Sequence, residues 1–157
     1  MKHYKISSGY GYGKQRITSF DSALLDAGVG NYNLVRLSSI LPLESIATDK
    51  IGLPYGSLLP IAYAVESTNV PDRMISAAVA IGYPADHPED EERCAVIMEY
   101  EGECSKEKAI ETVTAMVCEG FKERGWELGR IEVSAECVIG EEGEWVTAFA
   151  CVAEWEE

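Results

Sequence analysis

Ser38 and Ser39 stand side by side at the end of the short apolar run NLVRLSSILP, three residues before Pro42. A serine hydroxyl is a weak nucleophile until something positions or activates it, so the pair by itself reads as the end of a strand. Two carboxylates have settings that could give them a role. Asp21 falls in what reads as the first turn of a short helix, between Phe20 and Ala23, where an acid ordinarily serves the helix dipole. Glu99 closes the apolar stretch CAVIMEYEG, two residues before Glu101. A strand-end acid is ordinarily solvated; a buried one keeps its proton to higher pH and can donate it near neutrality.

Other polar groupings offer less. GYGYGK, residues 9–14, lacks the frame of a phosphate loop, and no strand is visible leading into it, so it reads as a flexible glycine loop. Asp86, His87, Glu89, Asp90, Glu91 and Glu92 are metal-capable, but they lack calcium-loop spacing and its central glycine. They read as a solvated loop, and no metal is expected. His3 and His87 are the only histidines and both lie in polar sequence, which leaves little for a histidine triad or a zinc site. Cys94, Cys104, Cys118, Cys137 and Cys151 are odd in number and form no C-x-x-C pair. They read as small, mostly buried apolar residues of a reducing compartment.

These residues must be held by a modest set of elements. TSFDSALLDAG has a helical stripe of Phe20, Ala23, Leu24 and Ala27, with Thr18 or Ser19 as N-cap and Gly28 as the left-handed stop. NYNLVRLSS has strand character through Val35 and Leu37. Apolar runs at Leu58–Val65, Ile75–Ile81 and Cys94–Tyr100 read as buried strands. The clearest helix runs from an N-cap at Ser105 to about Arg124, with Ile110, Val113, Val117 and Phe121 on one face and Gly125 as the stop. Two strands follow, near Glu127–Cys137 and Trp145–Trp155. The order α-β-β-β-β-α-β-β suits sheets covered by helices in layers, an α+β arrangement, and not a dinucleotide fold.

Composition narrows the partners. The 157 residues fit one domain, with 46% hydrophobic and 25% charged residues. A net charge of −14 disfavours nucleic acid and an anionic membrane surface. No apolar run reaches membrane-span length, and MKHYKISSGYGYG lacks the apolar core of a secretory signal, so a cytoplasmic location is expected.

The string FDSALLDAGVGNYNLVRLSSILP, followed by GSLLPIAYA, IMEYEG and ERGWELGRIE, resembles the pyruvoyl-dependent arginine decarboxylases through nearly the whole chain. The resemblance implies a single-domain layered αββα sandwich assembled as a homotrimer with active sites between subunits; related members stack two trimers. It implies that the Ser39 hydroxyl attacks the Ser38 carbonyl and that Ser39 becomes an N-terminal pyruvoyl group. Residues 1–38 and 39–157 would then be separate chains. Asn33 matches the family asparagine that assists processing. Glu99 matches the proton donor, and Asp21 the residue that binds the substrate guanidinium.

The implied reaction converts L-arginine to agmatine and CO2 through a Schiff base on the covalent pyruvoyl group, without pyridoxal phosphate or metal. Two other readings stay open on the sequence. One is a pyruvoyl decarboxylase of another amino acid, such as histidine; the other is a non-catalytic trimeric relative in which Ser38–Ser39 stays intact. Leu43 stands where many relatives carry a second proline or a small residue.

Overall fold

The computed structural model describes residues 1–157, which form nine strands and two helices. In chain order these are β1 (Lys2–Gly13), α1 (Arg16–Asp26), β2 (Asn33–Arg36), β3 (Ile40–Leu41), β4 (Ile46–Ala47) and β5 (Leu58–Thr68). Then come β6 (Met74–Pro84), β7 (Ala95–Gly102), α2 (Lys106–Arg124), β8 (Leu128–Ile139) and β9 (Trp145–Glu156). They build two mixed or antiparallel sheets, one in the order β2-β5-β9-β1-β4 and the other in the order β3-β7-β6-β8.

Strand alternation explains why the sheets stack and why each carries a helix. Inward residues of the first sheet (Tyr4, Ala62, Ala64, Val146, Ala148, Ala150, Val152) meet those of the second (Ile75, Ala77, Val79, Ile81, Ala95, Ile97, Val138) in one buried cluster. The outward residues Leu59, Ile61, Phe149, Cys151 and Ala153 are covered by Ala23, Leu24 and Ala27 of α1. On the other side Ala78, Ala80 and Val96 are covered by Ala109, Val113, Val117 and Phe121 of α2. The result is the layered αββα sandwich, and β9, at the centre of the first sheet, is buried on both faces.

Both helices end as their glycines require, with Gly28 at φ 83° just past α1 and Gly125 at φ 67° closing α2. Ser105 Oγ accepts the Lys108 amide at 3.1 Å, the expected N-cap of α2. The start of α1 differs from the expected one. The helix begins at Arg16 with Gln15 as N-cap, and Thr18, at the third helical position, takes the Gln15 amide on Oγ1 at 3.2 Å. Asp21 is therefore a mid-helix residue and not a first-turn acid.

The larger correction concerns GYGYGK. Its glycines belong to the second half of β1, paired antiparallel with β9 from Gly9↔Phe149 to Gly13↔Trp145. A Cβ on Gly9 would stand 2.7 Å from the Ala23 carbonyl oxygen and from the Ala27 amide. One on Gly11 would collide with the Ala23 amide, and one on Gly13 would stand 2.6 Å from the Ser19 amide. The glycines let α1 lie directly on β1, which is why the stretch carries no apolar alternation and hid its strand. The cysteine expectation is also corrected: only Cys151 is buried, Cys118 is exposed and the other three lie between. His3 is less polar in setting than expected, since its ring stacks on Trp155 at 5.6 Å while Nδ1 meets Thr48 Oγ1 at 2.8 Å.

The sandwich is closed differently along its two long sides. On the β1/β8 side, Tyr4 and Tyr83 both donate hydroxyl hydrogen bonds to Glu132 Oε1, at 2.6 and 2.7 Å, and the Ser8 hydroxyl donates to the Ala135 carbonyl at 3.2 Å. On the opposite side the chain itself steps from one sheet to the other between β2 and β3. Ser38 and Ser39 are that step.

Candidate active site

β2 runs parallel to β5 with Arg36 opposite Ile61, and the next amide, Leu37, still donates to the Ile61 carbonyl at 2.8 Å. β3 runs antiparallel to β7 with Ile40 opposite Val96, and the Ile97 amide donates to the Ser39 carbonyl at 2.8 Å. The Ser38–Ser39 peptide bond is thus anchored to one sheet on its N-terminal side and to the other on its C-terminal side. Packed sheets lie about 10 Å apart, and three residue steps span at most about 10 Å. The crossing from Leu37 to Ile40 has little slack, and Ser39 takes a φ of 153°, one of only two non-glycine residues with positive φ. Such a conformation costs on the order of 1–3 kcal/mol and persists only where its surroundings impose it.

Beside this crossing sits Glu99. On β7, Ala95 and Ile97 point into the inter-sheet core, and alternation carries Glu99 and Glu101 onto the same face. Glu99 is about 7 Å along the strand from Ile97, the residue bonded to Ser39. Its side chain is only 21% exposed, and its Oε2 is buried with no hydrogen-bond partner. Burial pushes its carboxyl above the ordinary range, the Arg36 guanidinium opposes that shift, and Glu101 adds to it. A carboxyl shifted upward by burial thus lies next to the strained Ser38–Ser39 crossing.

The remaining residues are placed elsewhere. Asn33 stands at the start of β2, exposed, with its Nδ2 donating to the Gly56 carbonyl at 2.7 Å. Four strand steps separate it from Leu37, about 13 Å, so it does not reach the Ser38–Ser39 bond of its own chain. Asp21 projects from α1 into solvent, while its neighbour Phe20 turns inward onto Tyr63 with ring centroids 6.4 Å apart. One chain therefore brings together Ser38, Ser39 and Glu99 and leaves Asp21 and Asn33 on the outside. An open depression of about 730 Å³ is lined by Leu25, Gly30, Tyr32 and Tyr55 among others, and not by Ser39 or Glu99.

Just past the crossing, Ile40 is 42% exposed, whereas Leu41 is fully buried. Sequence reading missed Arg36 and Tyr63. Arg36 shares the outward face of β2 with Leu34, and that alternation was the one available signal.

Comparison with known proteins decides the family. The pyruvoyl-dependent arginine decarboxylase family model matches residues 3–156. The chain belongs to the pyruvoyl-dependent arginine decarboxylase family. It is 44% identical over 151 residues to the pyruvoyl-dependent arginine decarboxylase of Methanocaldococcus jannaschii, covering 96% of this chain and 87% of that one. It is 41% identical over 136 residues to the enzyme of the same name from Thermococcus kodakarensis, covering 85% and 83%. In structure it is similar to pyruvoyl-dependent histidine decarboxylase, with a TM-score of 0.52 over 69% of this chain and 55% of that one. At 15% identity that likeness concerns the fold alone. Membership of the pyruvoyl-dependent arginine decarboxylases implies a covalently bound pyruvoyl group, and the residues around Ser39 fit one. The position lies in a strained crossing, its carbonyl is pinned by the Ile97 amide, and the buried Glu99 Oε2 has no other partner.

Proposed function

We propose that this chain cuts itself between Ser38 and Ser39 and then decarboxylates L-arginine to agmatine and CO2. The observation that carries the proposal is the strained Ser39 in the sheet-to-sheet crossing, beside a half-buried Glu99 whose Oε2 has no hydrogen-bond partner.

In the processing step Ser39 Oγ attacks the Ser38 carbonyl carbon. The amide becomes an ester and the Ser39 amine is freed. Elimination across Cα–Cβ of residue 39 breaks the ester C–O bond and releases Ser38 as a new carboxylate. Water then replaces the nitrogen at Cα, which leaves as ammonia. Strain at Ser39 supports the first step because breaking the amide relaxes the crossing. The chain ends after processing are residues 1–38 and 39–157.

The pyruvoyl group supplies a ketone that takes the substrate α-amine and a conjugated carbonyl that accepts the electrons released with CO2. The protein's own residues do the rest. Glu99 delivers the proton that replaces the departing CO2, and its half-buried setting supports that role because burial shifts its carboxyl upward, toward a working acid. Asp21 pairs with the substrate guanidinium, whose planar donor fork suits a carboxylate. Asn33 hydrogen-bonds the oxyanion that develops during processing.

Asp21 and Asn33 lie outside the Ser39–Glu99 pair of their own chain, so we place the complete site between copies in a homotrimer, with two trimers able to stack. Free surface supports this assembly. β2 covers only Leu58–Ile61 of β5, leaving the rest of that strand edge unpaired, and Ile17, Tyr55 and Leu58 are each at least 69% exposed. No helix is long and apolar enough to cross a membrane, and the free cysteines accord with a reducing cytoplasm, where we place the enzyme.

The deciding experiment is to incubate the purified protein with carboxyl-labelled L-arginine or L-histidine and collect labelled CO2. Release from arginine, and none from S39A, is expected. Release from histidine but not arginine would overturn the substrate assignment.

A further inference from the structure

Arg36 ends β2 two residues before Ser38, and three contacts fix its guanidinium. It lies 4.3 Å above the centroid of the Tyr63 ring, its Nη2 donates to the Tyr63 carbonyl at 2.8 Å, and the same nitrogen is 3.9 Å from Glu99 Oε1. Tyr63 is itself held, packed on Phe149 at 5.5 Å and on Phe20 at 6.4 Å. A planar guanidinium can stack and donate in its plane at once, which an ammonium cannot.

We propose that Arg36 is a positioning residue of the active site: clamped on Tyr63, it aims Glu99 and supplies its counter-charge. The proposal rests on the assignment of Glu99 as proton donor.

The groups around Glu99 leave this task to Arg36. On its own strand the nearest charge is Glu101, which repels, and Glu66 of β5 acts on Glu101 in the same sense. The residues opposite on β6 and β8, Val79 and Ser134, carry no charge. Arg36 is the cation that opposes burial at both Glu99 and Glu101. Unopposed burial would give an acid that holds its proton too tightly to release it quickly, while a tight, exposed ion pair would leave it ionised and empty. A separation of 3.9 Å with a half-exposed guanidinium gives a setting between these two.

The same pair crosses the cut. Arg36 lies in the 1–38 segment, whereas Tyr63 and Glu99 lie in the 39–157 segment. Arg36 thus couples the strand that ends at the new Ser38 carboxylate to the proton donor on the other sheet.

The test uses the uncleaved S39A protein labelled with ¹³C-carboxyl glutamate, so it does not depend on turnover. The Glu99 resonance is assigned by its loss in S39A/E99Q and titrated by NMR. In S39A/R36Q its midpoint is expected to rise by about half a pH unit, the effect of a partly screened cation. In the processed R36Q enzyme the alkaline limb of the kcat profile moves up in the same direction. Should R36Q fail to fold, R36K carries the test, since its unstacked ammonium leaves Glu99 and the midpoint still rises. An unmoved Glu99 midpoint overturns the role of Arg36, even if arginine is decarboxylated. Conversely, a raised midpoint in a protein that never releases CO2 would leave this coupling intact and sink only the catalytic assignment.

Discussion

The Ser39 carbonyl accepts the Ile97 amide at 2.8 Å. This hydrogen bond lies on the far side of residue 39 from the Ser38–Ser39 bond at which we propose cleavage, so the proposed cut would not touch it. Whatever Ser39 becomes, position 39 stays fixed to β7 and beside Glu99.

Intact mass is the most direct check of processing. The purified protein is expected to give two species, one ending at Ser38 and one beginning with a blocked residue 39. S39A should give a single full-length chain. The two pieces should nonetheless elute together under native conditions, because β1 of the short piece lies between β9 and β4. A wild-type protein that stays whole after long incubation would remove the mechanism.

Glu99→Gln separates processing from turnover. The amide is close in shape but cannot deliver the proton, so kcat should fall by about 10²–10⁴. Mass spectrometry should still find both pieces. If E99Q decarboxylates arginine at an undiminished rate, the proton comes from elsewhere.

Asp21→Asn addresses specificity. Losing a charged hydrogen bond worth about 1.5–3 kcal/mol should lower kcat/KM for arginine about 10- to 150-fold. Because Asp21 is exposed, the fold should not suffer, and the thermal midpoint is the control. Equal losses for every amino acid tested would argue against guanidinium recognition.

Gly11→Ala tests the packing of α1 on β1. The new methyl would meet helix backbone at Ser19 and Ala23, which cannot yield as a side chain can. Overpacking of this kind costs on the order of 1–3 kcal/mol, roughly 2–4 °C in Tm for each kcal/mol in a domain of this size. An unchanged melting curve would mean that the helix stands off the strand.

Glu154 gives the stability a pH dependence. Burial pushes its carboxyl up to about 7, and Lys2 opposes this only in part. Its Oε2 is buried without a partner. A carboxyl whose folded pKa is raised binds more protons in the native state than in the unfolded one, so stability falls as pH rises from about 4.5 to about 7. Glu99 and Glu101 shift in the same direction and add to the slope. E154Q should flatten the fall in Tm across that window, and an unchanged slope would exclude Glu154 as a contributor.

What was legible in the sequence follows from what local physics controls. Ser105, the stripe through Phe121, and Gly125 specify α2 because caps and helical periodicity act within a few turns. The apolar runs that became β5, β6 and β7 were readable because each buries its side chains whatever its neighbours are. The long string through Ser38–Ser39, with Asn33, Asp21 and Glu99 around it, was enough to point to the family. The strand β1 was not readable, since Gly9, Gly11 and Gly13 mean loop until a helix is known to lie on them. Nor were β3 and β4, two-residue strands defined only by their partners.

Tertiary structure alone decided that the serine pair joins two sheets. It is the pairing of β2 with β5 and of β3 with β7, whose partners Ile40 and Val96 are 56 residues apart, that stretches Ser39 into its conformation. The same long-range pairing half-buries Glu99 at the edge of the core and brings Arg36 against it, because charge and burial depend on which distant strands become neighbours and not on the residues beside them in the chain.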